Sequence, residues 1–304
     1  MVELCEILNK RTYKMISVVI PAYNEENAIK GTIKEIQNVM KKNKIDKNSE
    51  IIVVNDGSTD DTGKIAKKCG AIVVNNPSNM GYGFSLKRGI KQAKNEIIVI
   101  IDADLTYPFT EVPKMLEKKK EGYDLVVGAR TGKYYRQSLF KSILRRMMKA
   151  LVEFVSEKKI KDINSGLRIF DKSLVMKYFP RLCNTFSFTT SQTLAYLMNN
   201  HFVYYIDIPY NKREGKSKIK LFRDTLISLK YILESCVYYN PIKIFTLLSV
   251  ICIFLSVIGF LFSHFARIHA GYILGIGGLL ISIIVFSIGL LAVILKQIMD
   301  KNNE

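Results

Sequence analysis

In 304 residues the sequence has no tryptophan, three histidines and five cysteines. No motif that requires an indole can exist in it. His201, His264 and His269 are too few and too dispersed to build a zinc site with the cysteines. Cys5, Cys69, Cys183, Cys236 and Cys252 show no C-x-x-C spacing, and their odd number argues against a closed disulfide framework. They read as reduced thiols in a cytosolic setting. Acidic residues are scarce, with 27 Asp plus Glu against 45 Lys plus Arg, for a formal net charge of +18. Yet 48% of residues are hydrophobic and the mean hydropathy is +0.11. A disordered chain needs low hydrophobicity, and a nucleic-acid binder is rarely net apolar. A membrane protein with a basic cytoplasmic part fits better, and no nucleic acid is expected as a partner.

The apolar residues are concentrated at one end. From Ile244 to Phe262 there is no charge for 19 residues, and from Gly271 to Leu295 none for 25. At about 1.5 Å per residue each stretch can cross a hydrocarbon core of roughly 30 Å. A buried hairpin in a soluble protein is the alternative. Only Arg267 lies between the stretches, whereas Lys and Arg abound before Lys243 and recur at Lys296 and Lys301. The positive-inside rule then predicts a multi-pass protein of the cell membrane with both ends cytoplasmic. The expected organisation is a cytoplasmic domain over 1–220, a juxtamembrane helix over 221–241, spans over 242–263 and 271–295, and a tail over 296–304. The first fifteen residues, MVELCEILNKRTYKM, lack an apolar run and a small-residue cleavage site, so no signal peptide is expected.

Before the spans, short apolar runs alternate with amphipathic stretches. ISVVI (16–20), IIVV (51–54), AIVV (71–74), IIVII (97–101) and LVV (125–127) are rich in β-branched residues, as expected of parallel strands buried on both faces. Residues 25–41, 60–69, 83–94 and 110–121 carry helical patterning between them. The series predicts an α/β fold with a mostly parallel sheet.

In open parallel sheets ligands bind beyond the carboxyl ends of the strands. There this chain has PAYNEE (21–26), NDGSTDDT (55–62), DADLTYP (102–108) and GAR (128–130). Acidic clusters converging on one sheet edge repel unless something positive binds, and a divalent cation carrying a phosphorylated ligand answers that. Asp102 and Asp104 can offer oxygens to Mg²⁺ or Mn²⁺ and to a sugar. In isolation D-x-D is a weak signal that equally marks a turn or helix cap, and Asp56, Ser58 and Asp60 could merely cap the next helix. Two other motifs fail. GYGFSLKRG has Leu86 where G-x-G-x-x-G needs its third glycine, and Gly215-Lys216-Ser217 lacks the earlier glycine of a P-loop, having Tyr210 there.

Taken in order, VVIPAYNEE, VNDGSTDDT, NMGYGFSLKRGI, IIDADLTYP, VVGAR, DINSGLRIFDKS and KREGKSKI resemble family 2 glycosyltransferases of the GT-A fold, and within them the polyprenyl-phosphate (dolichyl-phosphate) hexose synthases. The resemblance covers about residues 16–220. It implies that Pro21, Tyr23 and Glu25 line a nucleotide pocket, that Asp56 bonds the base, and that Asp102, Ala103 and Asp104 face the nucleotide-sugar. Asp104 would be the more direct metal ligand. Arg130 would meet phosphate, Asp162, Ser165 and Arg168 would lie on the acceptor side, and Lys212, Arg213, Ser217 and Lys218 would belong to the lipid-phosphate motif. Some mannosyl-transferring members have Gln where this chain has Thr106, so the resemblance leans toward UDP-glucose or UDP-GlcNAc as donor. GDP-mannose is the alternative.

The implied reaction is attack by a lipid monophosphate oxygen on the anomeric carbon of a nucleotide-sugar, with inversion. A phosphate monoester has a second pKa of about 6, so the nucleophile is already ionised and Asp162 need only orient, although a base role stays open. The acceptor would be dolichyl or polyprenyl phosphate, and membrane lipids would be further partners. Residues 136–159 place Leu139, Phe140, Ile143, Leu144, Met147, Met148, Leu151 and Val155 on one face, flanked by Lys141, Arg145, Arg146 and Lys149. This patterns as a helix lying in the membrane interface, Arg145 and Arg146 at lipid-phosphate level, or else as a surface helix packed on the sheet. A processive polysaccharide synthase would carry Q-x-x-R-W, which a chain without tryptophan cannot contain. A membrane nucleotide-sugar sensor or flippase component that binds without catalysis is a rival of another class, and homo-oligomerisation stays open.

Overall fold

The computed structural model describes residues 15–132, 139–212, 221–266 and 269–301, with several side chains at the start of the helices over 139–156 and 221–239 left aside. Two compact units divide at Ile232/Leu233. The first is built on a seven-stranded sheet comprising β1 (Ser17–Ala22), β2 (Glu50–Asn55), β3 (Ile72–Asn75), β4 (Ile97–Ile100), β5 (Leu125–Thr131), β6 (Arg168–Asp171) and β7 (Val203–Pro209), in the order β3-β2-β1-β4-β6-β5-β7. β1 pairs in parallel with both β2 and β4, with Ser17 opposite Glu50 on one side and Ile98 on the other. β6 runs antiparallel to both β4 and β5, and β7 returns parallel to β5. The strand order reverses at β1/β4, where an open sheet leaves a crevice at its carboxyl ends.

The apolar runs form strands because helices cover both faces of the central sheet. On one face Val18, Ile20, Val53 and Val99 pack with Ile29, Ile33 and Ile36 of α1 (Ile29–Lys42), whose spacing puts them on one stripe. α2 (Thr62–Lys68) packs beside α1. On the other face lies α3 (Tyr82–Gln92), so close that a Cβ at Gly89 would fall 2.5 Å from Val19 and 2.9 Å from Val54. α4 (Val112–Lys120), entered through a short turn at Phe109–Glu111 with Pro113 in its first turn, adds Val112, Met115 and Leu116 to the core.

Two expectations need correction. β3 is an edge strand, with Ile72 39% exposed, because nothing pairs with its outer side in the sheet. GAR does not follow the fifth strand: β5 continues through it to Thr131, paired residue for residue with β7. α5 (Leu139–Ser156), α6 (Lys172–Tyr178) and α7 (Phe188–Met198) follow, and α5 packs on α7. Val152 and Val155 of α5 are buried while Met147 and Phe154 are exposed.

α8 (Leu221–Tyr239) carries the chain into the second unit, a hairpin of α9 (Pro241–Ala266) and α10 (His269–Lys301). Both helices are long and apolar enough to cross a membrane. Their shared seam is small and polar: Ser249 donates to the Ser282 carbonyl at 3.0 Å and Ser256 to that of Gly275, while Gly259, Gly271 and Gly275 allow close approach. Their outer surfaces carry exposed Phe254, Leu255, Phe265, Ile273, Leu274 and Ile283. A core helix of a soluble protein would hide such residues.

Candidate active site

The segments after β1 and β2 meet at the carboxyl end of the sheet, where Ala22 pairs with Asn55. Pro21 is buried within β1, and Tyr23 and Glu25 follow half-buried. Their loop is tied to the one after β2: the Asn24 N–H donates to Ser58 Oγ at 3.0 Å and the Glu25 N–H to Thr62 Oγ1 at 2.8 Å. Asp60 accepts from the Thr62 N–H at 3.0 Å, so Ser58 and Asp60 do the local loop and helix-start work that the plainer reading assigned them.

Asp56 does something else. Only 3% exposed, it gathers the segment that leads into α3. Its Oδ1 accepts from Asn76 Nδ2 at 2.6 Å and the Met80 N–H at 2.9 Å, and its Oδ2 accepts from the Gly81 N–H at 2.9 Å. Arg88 in turn holds Asn76 by its Oδ1 at 2.6 Å. Gly57 sits at φ +70, and a Cβ there would meet the Ser78 carbonyl carbon at 2.4 Å, so glycine is needed for this loop to close on Asp56. These three donors occupy three of about four carboxylate lone-pair positions.

The acidic pair follows β4. Thr32 of α1 donates to the Ala103 carbonyl at 2.9 Å, which pins the turn, and Leu105 adopts a left-handed φ of 60°. Asp104, 4% exposed, accepts from Thr106 Oγ1 at 2.6 Å and the Thr106 N–H at 3.2 Å. Asp102 accepts from Tyr82 Oη at 2.9 Å. Among the described residues no three His, Cys, Asp or Glu side chains converge as metal ligands. Two carboxylates one residue apart are instead the set that holds Mg²⁺ or Mn²⁺ when a substrate diphosphate and water complete the shell. In that sense the donor set fits a divalent ion.

Arg130 and Asp162 form a bidentate pair, Nε to Oδ2 at 2.7 Å and Nη2 to Oδ1 at 2.9 Å. Burial acts to raise the Asp162 carboxyl, but the Arg130 guanidinium and the backbone N–H groups of Arg130 and Asn164 outweigh it and hold the group below its ordinary range. Arg130 lies over the Tyr210 ring at 5.5 Å, and Tyr210 meets Tyr107 edge-on at 5.3 Å. Tyr107 Oη accepts from the Gly166 N–H at 2.7 Å, linking the acidic segment to the one after Asp162. Gly166 has no room for a side chain, since a Cβ would lie 2.6 Å and 2.7 Å from the Asp102 carboxylate oxygens.

Ser165 and Arg168, expected at the acceptor phosphate, are enclosed instead. Ser165 Oγ donates to the Gly128 carbonyl. Arg168 is fully buried, and its guanidinium donates to the carbonyls of Ser165 and Ile163, to Thr193 Oγ1 at 2.9 Å and to Gln192 Oε1 at 3.3 Å. β6 lies between β4 and β5 with no outer edge, so its first side chain is covered by α7. Lys212 is exposed, and its neighbour Asn211 donates its N–H to the Thr106 carbonyl at 2.9 Å, two residues beyond Asp104. Arg146 is exposed on α5. The Arg145 side chain and Arg213, Ser217 and Lys218 lie outside the described residues.

Tyr82, Tyr107, Gly166 and Tyr210 received no role from sequence. Each lies in or beside a quoted motif, but tyrosine and glycine carry no formal charge and gave no chemical signal. The Gly-rich stretch before α3 also has a use that its pattern does not announce. The N–H groups of Gly83 and Phe84, which would bind an anion at an open helix start, donate to the carbonyls of Thr185 at 3.2 Å and Asn184 at 2.8 Å.

The family model for glycosyl transferase family 2 matches residues 17–179. Undecaprenyl-phosphate 4-deoxy-4-formamido-L-arabinose transferases of Yersinia pestis (strain Pestoides F) and Yersinia pseudotuberculosis (serotype O:3) are each 29% identical over 268 residues, covering 82% of this chain and 75% of theirs. Glucosyl-3-phosphoglycerate synthase from Mycobacterium tuberculosis, crystallised with UDP, superposes with a TM-score of 0.60 at 23% identity, over 78% of this chain and 84% of that one. Its complex with Mn²⁺, UDP-glucose and phosphoglyceric acid gives 0.60 at 22% over the same shares. At such identity the likeness is one of fold.

Proposed function

This chain belongs to glycosyl transferase family 2 and is a glycosyltransferase; we propose that it moves a sugar from a uridine nucleotide to a polyprenyl phosphate at a membrane surface, with inversion. The acceptor class follows from the Yersinia transferases, which align with most of this chain and act on undecaprenyl phosphate. The observation that carries the reading is the link from the acidic segment to Arg130: Tyr107 meets Tyr210 edge-on at 5.3 Å, Tyr210 lies under the Arg130 guanidinium at 5.5 Å, and Asn211, beside Lys212, bonds the Thr106 carbonyl at 2.9 Å. One end suits a metal-bound diphosphate, and the other suits a second phosphate.

Asp56 supports the choice of base. With one lone-pair position left it matches the single imide N–H of uracil better than guanine, whose edge offers two adjacent donor groups. A divalent ion bound by Asp104 and Asp102 would act as Lewis acid toward the departing diphosphate. Asp162 is proposed as an orienting group rather than a base. Its two oxygens are engaged by Arg130, its carboxyl is held in the ionised form, and the phosphate nucleophile needs little proton removal. Arg130, kept in plane by Asp162 and Tyr210, offsets the repulsion between acceptor and donor phosphates. The buried Ser165 and Arg168 are proposed to shape the floor beneath this contact rather than touch phosphate.

The hairpin α9–α10 is proposed to span the membrane, with the catalytic domain and both ends cytoplasmic. Exposed Met147 and Phe154, seven residues apart on α5 and so on one face, sit beside exposed Arg146 and partly exposed Lys149. That mixture suits the headgroup boundary.

The test is to incubate membranes containing the protein with labelled UDP- and GDP-sugars, with and without undecaprenyl phosphate. Lipid-dependent, organic-extractable label from a UDP-sugar is expected. Label from GDP-mannose alone would replace the donor reading, and donor binding without any transfer would favour the sensor.

A further inference from the structure

We propose that Tyr82 is a positioning residue for this reaction: its hydroxyl fixes the Asp102 carboxylate in the orientation that receives the metal-bound donor. This rests on the donor reading above and extends it to a residue outside the acidic pair. The contact is direct, Tyr82 Oη to Asp102 Oδ1 at 2.9 Å. A phenol carries its proton at neutral pH and so donates to a carboxylate, which can only accept.

The tyrosine is itself held from three sides. The N–H groups of the next two residues, Gly83 and Phe84, are clamped by the carbonyls of Thr185 and Asn184. Gly81 on its other side is fixed by Asp56. The ring lies against Phe186, with centroids 6.0 Å apart. On the other side of Asp102 runs the Gly166 backbone, where an added Cβ would fall 2.6 Å and 2.7 Å from the two carboxylate oxygens, so only glycine leaves the carboxylate its place. This arrangement also explains why the helix start after Gly81 is not an anion site: the N–H groups that would bind phosphate are spent on placing Tyr82.

Tyr82→Phe keeps the ring, the Phe186 contact and the turn, and removes one hydrogen bond to a carboxylate. Loss of such an outer partner typically costs about 10- to 100-fold in metal affinity or activity. The experiment is electron paramagnetic resonance titration of Mn²⁺ against the purified full chain with UDP present, beside kcat and acceptor KM. The expected result for Tyr82→Phe is a Mn²⁺ affinity about 10-fold weaker and a comparable fall in kcat, with acceptor KM unchanged. Phe186→Leu, which disturbs packing but spares the hydroxyl, should leave Mn²⁺ affinity within about 2-fold of the parent, since the hydrogen bond is intact. A Tyr82→Phe protein with the parent's Mn²⁺ affinity and kcat overturns the proposal. So does equal weakening by both variants, which would make the effect one of packing. A parent protein that binds neither UDP nor Mn²⁺ would overturn the donor reading, and the inference with it.

Discussion

At the scale of residues, the site consists of charges made useful by uncharged neighbours. Asp104 is oriented by Thr106, Asp102 by Tyr82 and Gly166, and Arg130 by Asp162 and Tyr210. Asp104→Asn should lower transfer by at least about 100-fold, the upper range for disturbing a metal site. It should leave thermal unfolding almost unchanged; measurable metal-dependent transfer at the parent rate would remove Asp104 from the metal role. Asp162→Asn tests the buried pair. Because the folded pKa of Asp162 lies below its ordinary 3.8, its ionised form stabilises the fold fully above that pH, and this contribution is lost as pH falls through the folded value. Denaturant titrations should show the variant about 3–5 kcal/mol less stable near pH 7, where Arg130 is left without its counter-charge. The gap should narrow below pH 3.8. A gap that does not change with pH would mean that the ion pair is not its source.

Elements decide which residues meet. D-x-D was legible at the end of an apolar run because a parallel strand has to stop at a ligand-binding edge. That Gly166 would press on Asp102 was not legible, because it depends on β6 entering antiparallel between β4 and β5. The run that makes β6, Arg-Ile-Phe-Asp, opens on a charged residue, which argues against a buried strand until Arg168 is seen to spend its guanidinium on interior carbonyls. Gly83 shows the same dependence: a Cβ there would lie 2.3 Å from the Cys183 carbonyl oxygen, a contact between segments 100 residues apart. Gly83→Ala is expected to destabilise the first unit by about 1–3 kcal/mol through overpacking. It should also lower transfer by displacing Tyr82. Equal midpoints for parent and variant in chemical unfolding would show that the clamp tolerates a methyl group.

At the scale of the whole molecule, a chain both basic and net apolar resolves into two units with different solvents. The first buries its β-branched runs in an α/β core, while α9 and α10 turn apolar surface outward. Full-length protein should resist extraction from membranes by alkaline carbonate. A compartment-sensitive reporter fused after Lys301 should report the cytoplasmic side, as the Lys and Arg flanks predict. Activity of the reporter on the opposite side would reverse the topology and strand the catalytic domain away from cytoplasmic donor. Raising ionic strength should weaken acceptor use more than donor use, because Lys212 and Arg146 are exposed and screened whereas Asp56 is enclosed.

Sequence alone determined the elements whose pattern is local: the β-branched runs, the amphipathic helices, the two uncharged stretches and the acidic residues at strand ends. Periodicity and length are properties of neighbours along the chain, so no distant contact was needed to read them. Only the tertiary structure decided the rest. It set β3 at an edge, turned Arg168 and Ser165 inward, joined Asp162 to Arg130, and brought Tyr82 from the start of α3 to Asp102 in the loop after β4. Those outcomes depend on which strands become neighbours, and a charged or hydroxyl side chain looks the same in sequence whether a ligand or a buried carbonyl awaits it.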